Sequence, residues 1–499
     1  MKSNKLIAAV IIGAQLPIAA FAQDTNSESA EIDALKQQVQ ALVQKVDALE
    51  QQQQATQGSP APQSAQVQEL DQKVRVLQRQ RELDQEAAAD AAKTQPKITL
   101  DANGFSFSSA NSNFVGTLHG LLQTDSRTFF ADSGGTLGKN QFLIRRARPI
   151  FTGTVFHDYD FNFTPDFGGN SATATPVIYD AYLNYHYNPA FQIEAGRFKS
   201  PVGLEALQSD GYMALNERSL ASDLVPNRDI GFMLHGDLFS GRASYAAGIL
   251  DGAPDYTTPP TAPLATDDDK AFAGRLFLQP FKTSDEDYLK GIGFGVGGSY
   301  EDDRGTAAAT DLNTGYKTDG QQTLFSYATG VFANGVHWRL SPQGYYYYGP
   351  LSIMGEYAFS DQQVSSATRS ADVRNTAWEA NVGWVLTGEK ASYNGVTPLH
   401  PFSLHDGGWG AWQVVARYSG LYIDEDAFTT PTIATTGSAN AARAWSVGLN
   451  WYLNRDIRVN TSFSRTTFGT GHATGAGTSL APITAQPENV LFTRVQLAF

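Results

Sequence analysis

Apolar residues recur along this chain with two distinct periods. Ile32, Leu35, Val39, Leu42, Val46 and Leu49 follow the spacing 3,4,3,4,3, the a/d seam of a coiled coil with β-branched a and leucine d positions. Gln51 to Gln66, with Gly58, Pro60 and Pro62, interrupts the seam as a flexible linker. Val67, Leu70, Val74 and Leu77 then resume it, until Arg81 and Asp84 enter the apolar stripe. Such a helix cannot hide its stripe alone, so the pattern predicts self-association, with an amphipathic helix on another surface as the alternative. Ile/Val at a with Leu at d favours two strands.

Past residue 95 the period becomes two. Ile292, Phe294 and Val296 alternate with glycines, and Ala380, Val382, Trp384 and Leu386 alternate with Glu379, Asn381, Gly383 and Val385. Trp445, Val447, Leu449, Trp451 and Leu453 alternate with Ala444, Ser446, Gly448, Asn450 and Tyr452. At the C-terminus, Leu491, Val495, Leu497 and Phe499 share a strand face with Thr493, leaving Phe492, Arg494, Gln496 and Ala498 on the other. One apolar face and one small or polar face fit lipid outside and water inside a transmembrane barrel. A soluble sandwich has the same period with the faces exchanged.

The N-terminus favours the barrel. Lys2 and Lys5, the apolar run Leu6–Leu16 and Ala20-Phe21-Ala22 have the order of a cleaved secretory signal, predicted over 1–22. That run is too short to span a bilayer as a helix. The domain reading is therefore a signal at 1–22, a periplasmic coiled coil at 23–95 with its linker at 51–66, and a barrel at 96–499. Short turns alternate with long tracts such as Gly252–Lys270, Glu301–Gln322 and Thr429–Ala442, matching short periplasmic turns and long outer loops. Bacterial single-chain barrels have even strand numbers; sixteen strands allow about 25 residues each with their loops, and eighteen about 22. Sixteen is expected, wide enough for an aqueous channel.

Composition narrows the chemistry. The 499 residues carry 36 Lys+Arg against 50 Asp+Glu, net −14, which argues against a nucleic-acid partner. There is no cysteine, hence no disulfide, thiolate nucleophile or Cys-ligated metal. Twenty-one Tyr and 29 Phe can supply interfacial girdles, the run Tyr345–Tyr348 among them. His157-Asp158 and His400/His405-Asp406 are pairs without a third ligand, so no metal site or cofactor is expected, and no hydrolase motif is present. Asp267-Asp268-Asp269 offers oxygen ligands for Ca²⁺ or a bridge to lipopolysaccharide, although a solvated loop tip is the commoner outcome.

Arg145-Arg146-Ala147-Arg148, Tyr159-Asp160-Phe161, Asp180-Ala181-Tyr182, Gly196-Arg197-Phe198-Lys199 and Gly203-Leu204-Glu205 resemble the phosphate-selective porin O and P family. So do Leu386-Thr387-Gly388-Glu389, Gly408-Trp409-Gly410-Ala411-Trp412, Ala416-Arg417-Tyr418 and Gly448-Leu449-Asn450-Trp451-Tyr452, collinearly across residues 114–499. The resemblance implies an all-β, sixteen-stranded antiparallel outer-membrane barrel, a homotrimer with an inward-folded third loop. It implies passive diffusion of small anions, phosphate or polyphosphate. Phosphate-specific members carry a lysine in that loop; here it reads Ser209-Asp210-Gly211-Tyr212. The outer tract Glu301–Gln322 holds Arg304 and Lys317 against five acids, without an arginine ladder.

The expected constriction has a basic wall of Arg145, Arg146, Arg148 and Arg197 facing the segment Lys199–Arg228, which adds Lys199, Arg218 and Arg228 beside Glu205, Asp210, Glu217 and Asp223. Rings of Arg and Lys select anions. Parity puts Arg146 and Arg148 on one face. Arg145 then lies near a rim, at a subunit interface or beside a bulge, because a lipid-facing arginine at the midplane costs about 2–4 kcal/mol. The rival readings are a sugar or general-solute porin, which needs lumen-facing aromatics among Trp384, Trp412, Trp445 and Trp451, and an envelope tether acting through the coil.

Overall fold

The computed structural model describes residues 41, 44, 45, 48, 63–101, 104–130, 138–169, 176–255, 268–429, 433–469 and 486–499. The chain divides into two compact units, Met1–Gln95 and Pro96–Phe499. The expected signal and the seam from Ile32 to Leu49 lie outside the described residues. In the first unit, Gln63–Thr94 is one helix, beginning inside the tract expected as linker. Leu70, Val74 and Leu77 are partly covered while the residues around them are exposed. The i,i+4 pairs Lys73–Glu69 and Arg75–Asp71 lie on its exposed sides.

The second unit opens with the hairpin β1 (Lys97–Asp101) and β2 (Gly104–Ser108). The next strands are β3 (Phe114–Phe130), β4 (Gln141–Val155), β5 (Tyr159–Asp166), β6 (Val177–Asn188), β7 (Phe191–Lys199), β8 (Arg228–Leu238), β9 (Ala243–Leu250), β10 (Ala271–Leu278) and β11 (Ile292–Arg304). A small hairpin, β12 (Tyr316–Lys317) and β13 (Thr323–Phe325), precedes β14 (Phe332–Tyr348), β15 (Leu351–Ser365), β16 (Ser370–Val385), β17 (Ala411–Tyr422), β18 (Ala441–Tyr452), β19 (Ile457–Phe468) and β20 (Glu488–Ala498). Setting both hairpins aside, sixteen strands pair antiparallel with their neighbours, and β20 returns to β3 with Thr493 opposite Ser126. The barrel is closed. β2 pairs with the lower part of the same β3 edge, Phe105 opposite Leu118.

Alternation assigns the faces. On β18, Trp445, Val447 and Leu449 are 42%, 47% and 39% exposed, whereas Ala444, Ser446 and Asn450 are buried. Leu497 and Val495 are likewise exposed, with their neighbours Arg494 and Gln496 buried. The apolar face points outward and the polar face inward, the transmembrane arrangement and not that of a sandwich. The sixteen-stranded ring has no free edge of its own, and β1 pairs with β2 alone.

Two tracts differ from expectation. Glu301 and Asp303 belong to β11, because lumen-facing carboxylates are met there by Arg339 and His337. The Tyr345–Tyr348 run lies at the end of β14; Tyr345 and Tyr347 share the inward register of Ser341 and Gln343. Tyr345 stacks on Tyr393, centroids 5.6 Å apart, and Tyr347 packs on a cluster with Val385 and Ala391. Tyr393 belongs to residues 386–410, a long connection at the end where turns such as 189–190 and 349–350 are short.

Candidate functional site: the charged lumen

Residues 200–227, between β7 and β8, cross the lumen. Val202, Leu220 and Leu224 join Tyr316 and Phe325 of the 305–331 connection and Ile423, Phe428 and Ile433 of the 423–440 connection in one apolar cluster. From the opposite end, Tyr393 donates its hydroxyl to the Leu204 carbonyl at 2.6 Å, and Gln208 donates to the Tyr393 carbonyl at 2.7 Å. The crossing segment is therefore clasped from both mouths.

Its charges meet the barrel wall. Glu217 accepts from Arg145 at 2.7 Å, Arg127 at 3.1 Å and Arg494 at 3.2 Å. Asp210 is paired with Arg218 at 2.6 Å, Arg148 at 2.5 Å and Arg146 at 3.3 Å. Tyr179 joins the second group: its hydroxyl donates to Asp210 at 2.9 Å. The guanidinium carbons of Arg148 and Arg228 lie 3.4 and 3.3 Å from its ring centroid. Both carboxylates lie in the connection, outside the spanning strands. Burial works to raise them, but the surrounding guanidiniums, Arg146 foremost at Asp210 and Arg145 at Glu217, hold both well below the usual carboxylate range.

A bulge explains Arg145. Gln123 pairs with Arg146 but Thr124 with Ile144, so one residue of β4 is extra. Phe142 and Ile144 point outward, exposed, while Arg145, Arg146 and Arg148 all reach the inward carboxylates. Of the three placements open for Arg145, the structure shows the bulge.

The other expected residues have further partners. Arg218 also donates to the carbonyls of Glu205 and Gln208, staying within its own segment. Arg228 forks onto Asp180 at 2.8 and 3.2 Å. Lys199 donates to the carbonyls of Leu207 and Gln208 at 2.8 and 2.7 Å. Arg197 stands apart. Its register partner Ile230 is exposed on the outer face, its Nε donates to the Tyr179 carbonyl, and its Nη2 is buried without a hydrogen-bond partner.

Several lumen charges escaped the sequence reading. Arg417 bridges Glu205 and Asp319, both at 3.1 Å; Asp319 also accepts from Ser446 and Ser464 at 2.7 Å. Arg339 binds Asp255 at 2.5 Å and Glu301 at 2.7 Å. Glu301, Asp303 and His337 bring ligand atoms within 4.8 Å of one another. The Arg339 guanidinium sits 3.1 Å from the His337 Nδ1, so a cationic group already serves that cluster. Inward parity alone would have flagged Arg339 and Arg417. In the Asp267–Asp269 tract, Asp267 lies outside the described residues and Asp269 pairs with Arg304 at 3.2 Å.

Comparison with known proteins is decisive for the family. Residues 117–499 match the phosphate-selective porin O and P family. The chain belongs to that family. This porin is 23% identical over 393 residues to Porin O of Pseudomonas aeruginosa, spanning 72% of this chain and 84% of that protein. Among solved structures it is similar to the outer membrane channel DcaP of Acinetobacter baumannii, with 11% identity, 79% of this chain and 99% of the other covered, and a TM-score of 0.49. An anion-selective porin from Comamonas acidovorans shares 10% identity, covers 77% and 100%, and gives 0.45.

Proposed function

We propose that this porin lets small anions, phosphate and polyphosphate among them, diffuse passively through a water-filled pore across the bacterial outer membrane. One observation carries the reading: the wall is apolar outside while Arg127, Arg145, Arg146, Arg148, Arg417 and Arg494 stand inside it. Guanidinium groups stay charged at any working pH and match oxyanion geometry. Trp384, Trp412, Trp445 and Trp451 share the outward registers of their strands, so these four supply no slide for sugar rings.

The constriction lies where residues 200–227 meet β3, β4 and β20, with Arg145, Arg146, Arg148, Arg218 and Arg228 around it. The assembly is a homotrimer in lipid and lipopolysaccharide, with the coiled coil in the periplasm. A bilayer experiment tests the reading: a tenfold KCl gradient across the reconstituted porin gives a reversal potential of the anion-selective sign. A cation-selective sign refutes it.

A further inference from the structure

Not every arginine of the barrel faces the lumen. Arg443 lies near the start of β18, just after the 423–440 connection, and shares the outward register of Trp445 and Val447. It is exposed, and among the described residues no carboxylate lies within 4.0 Å of it. Nearby outward arginines are engaged: Arg374 pairs with Asp361 at 2.9 Å, and Arg465 donates to Asn489 at 2.9 Å. Arg443 also belongs to a row that crosses five strands. Tyr357 stands opposite Trp378, Trp378 opposite Gly420, Gly420 opposite Arg443, and Arg443 opposite Thr467. The row dips at Gly420. A Cβ there would stand 2.8 Å from the Trp378 Nε1, so the missing side chain lets the indole lie across β17. Around this notch a groove of about 340 Å³ opens on the outer wall, lined by the whole row and by Tyr422.

We propose that this groove binds the phosphorylated sugar headgroup of an outer-leaflet glycolipid, with Arg443 on a phosphate and the Trp378, Tyr357 and Tyr422 rings against the sugar and first acyl carbons. The inference rests on the placement of the barrel in the outer membrane and not on the selectivity of its pore. Depth supports it first. A lipid-facing arginine costs about 2–4 kcal/mol at mid-bilayer but only about 0–1 kcal/mol near the interface, so Arg443 belongs at the level of the headgroups. Trp and Tyr rings gather at that same level. Charge supports it next: a guanidinium without a carboxylate partner offers its fork to the oxygens of a phosphate. The span also fits. Strands about 4.8 Å apart set Trp378 and Arg443 about 10 Å from each other across Gly420, which leaves room for sugar between ring and cation. A phospholipid brings a phosphate but no glucosamine ring for Trp378, and so fills only part of the groove.

The test is native mass spectrometry of the full-length porin in detergent, titrated with lipid A, an acylated and bisphosphorylated glucosamine disaccharide. Wild type retains lipid A, and Arg443→Gln raises the half-saturating concentration roughly tenfold. Arg443→Lys falls between the two. Trp378→Leu weakens binding by a smaller factor, and dephosphorylated lipid A binds wild type about as poorly as lipid A binds Arg443→Gln. Lys290→Gln, which removes a charge from the exposed α-helical turn Asp287–Lys290 at the other end of the barrel, leaves binding unchanged. Single-channel conductance in KCl shows which variants have formed the barrel; should Arg443→Gln not form it, Trp378→Leu and the dephosphorylated lipid decide. Equal retention of lipid A by Arg443→Gln, or phosphatidylglycerol binding wild type as tightly as lipid A, overturns the site. So does a change of oligomeric state in Arg443→Gln, which marks the face as a contact between copies. A wild-type channel that conducts but retains no lipid A overturns the site and leaves the porin reading intact, whereas a wild type that forms no channel removes that reading itself.

Discussion

Arg145, set inward by a one-residue bulge in β4, donates its Nε to Glu217 Oε1 at 2.7 Å, and so ties the barrel wall to the segment that crosses the lumen. Arg127 and Arg494 reach the same carboxylate. Glu217 is thus a common anchor for three guanidiniums from β3, β4 and β20, at the seam where the ring closes.

Removing that anchor has a defined consequence. Glu217→Gln leaves three buried guanidiniums without their shared charge, a loss of about 3–5 kcal/mol for a broken buried pair. The crossing segment loosens, the single-channel level rises and becomes noisier, and anion preference increases because a negative charge has left the lumen. Single-channel recording in KCl checks this; wild-type level and noise in the variant contradict it.

The depressed carboxyls set the acid limit of the lock. A group whose folded value lies below its unfolded value contributes stability above the unfolded value, and loses it only as pH falls through the folded one. Asp210 and Glu217 both behave so. Burial pushes a third carboxyl of the segment, Asp223, the other way, well above the usual range, so the lock is read in an Asp223→Asn background, where channel level and noise stay constant from pH 8 down to about 4 and change only in stronger acid. A noise transition near pH 6 in recordings taken across that range contradicts the lock.

The outer face predicts stability. Leu449→Arg places a guanidinium against lipid and destabilises the barrel by about 2–4 kcal/mol if it stands at mid-bilayer. Chemical unfolding in vesicles measures it. An unchanged midpoint contradicts the lipid assignment of β18.

Much of this architecture is legible in the sequence wherever one strand carries its own contrast. Trp445 beside Ser446, and Val495 beside Arg494, announce which side faces lipid. The register shift at Arg145 is not legible, because a bulge appears only when the partner strand is seen. Nor is β11 complete in the sequence. Glu301 and Asp303 look like loop acids until β14 is placed beside them, with His337 opposite Glu301 and within 3.3 Å of Asp303, and Arg339 within 2.7 Å of Glu301.

The coil and the barrel are separable in function. Deleting residues 24–95 leaves the unit conductance and the sign of the reversal potential unchanged. A variant that inserts into bilayers yet conducts with altered selectivity contradicts that independence.

The wet-inside, lipid-outside assignment can be read directly, since the protein has no native cysteine. Single cysteines at Phe232, Met233, Leu234 and His235 of β8 are treated with a charged thiol reagent that cannot enter lipid. Met233 and His235 have the inward register of β8, whereas Phe232 and Leu234 are exposed on the outer wall. Modification at 233 and 235, with 232 and 234 spared, is the predicted result. Modification at 232 and 234 alone, or equally at all four, contradicts the channel.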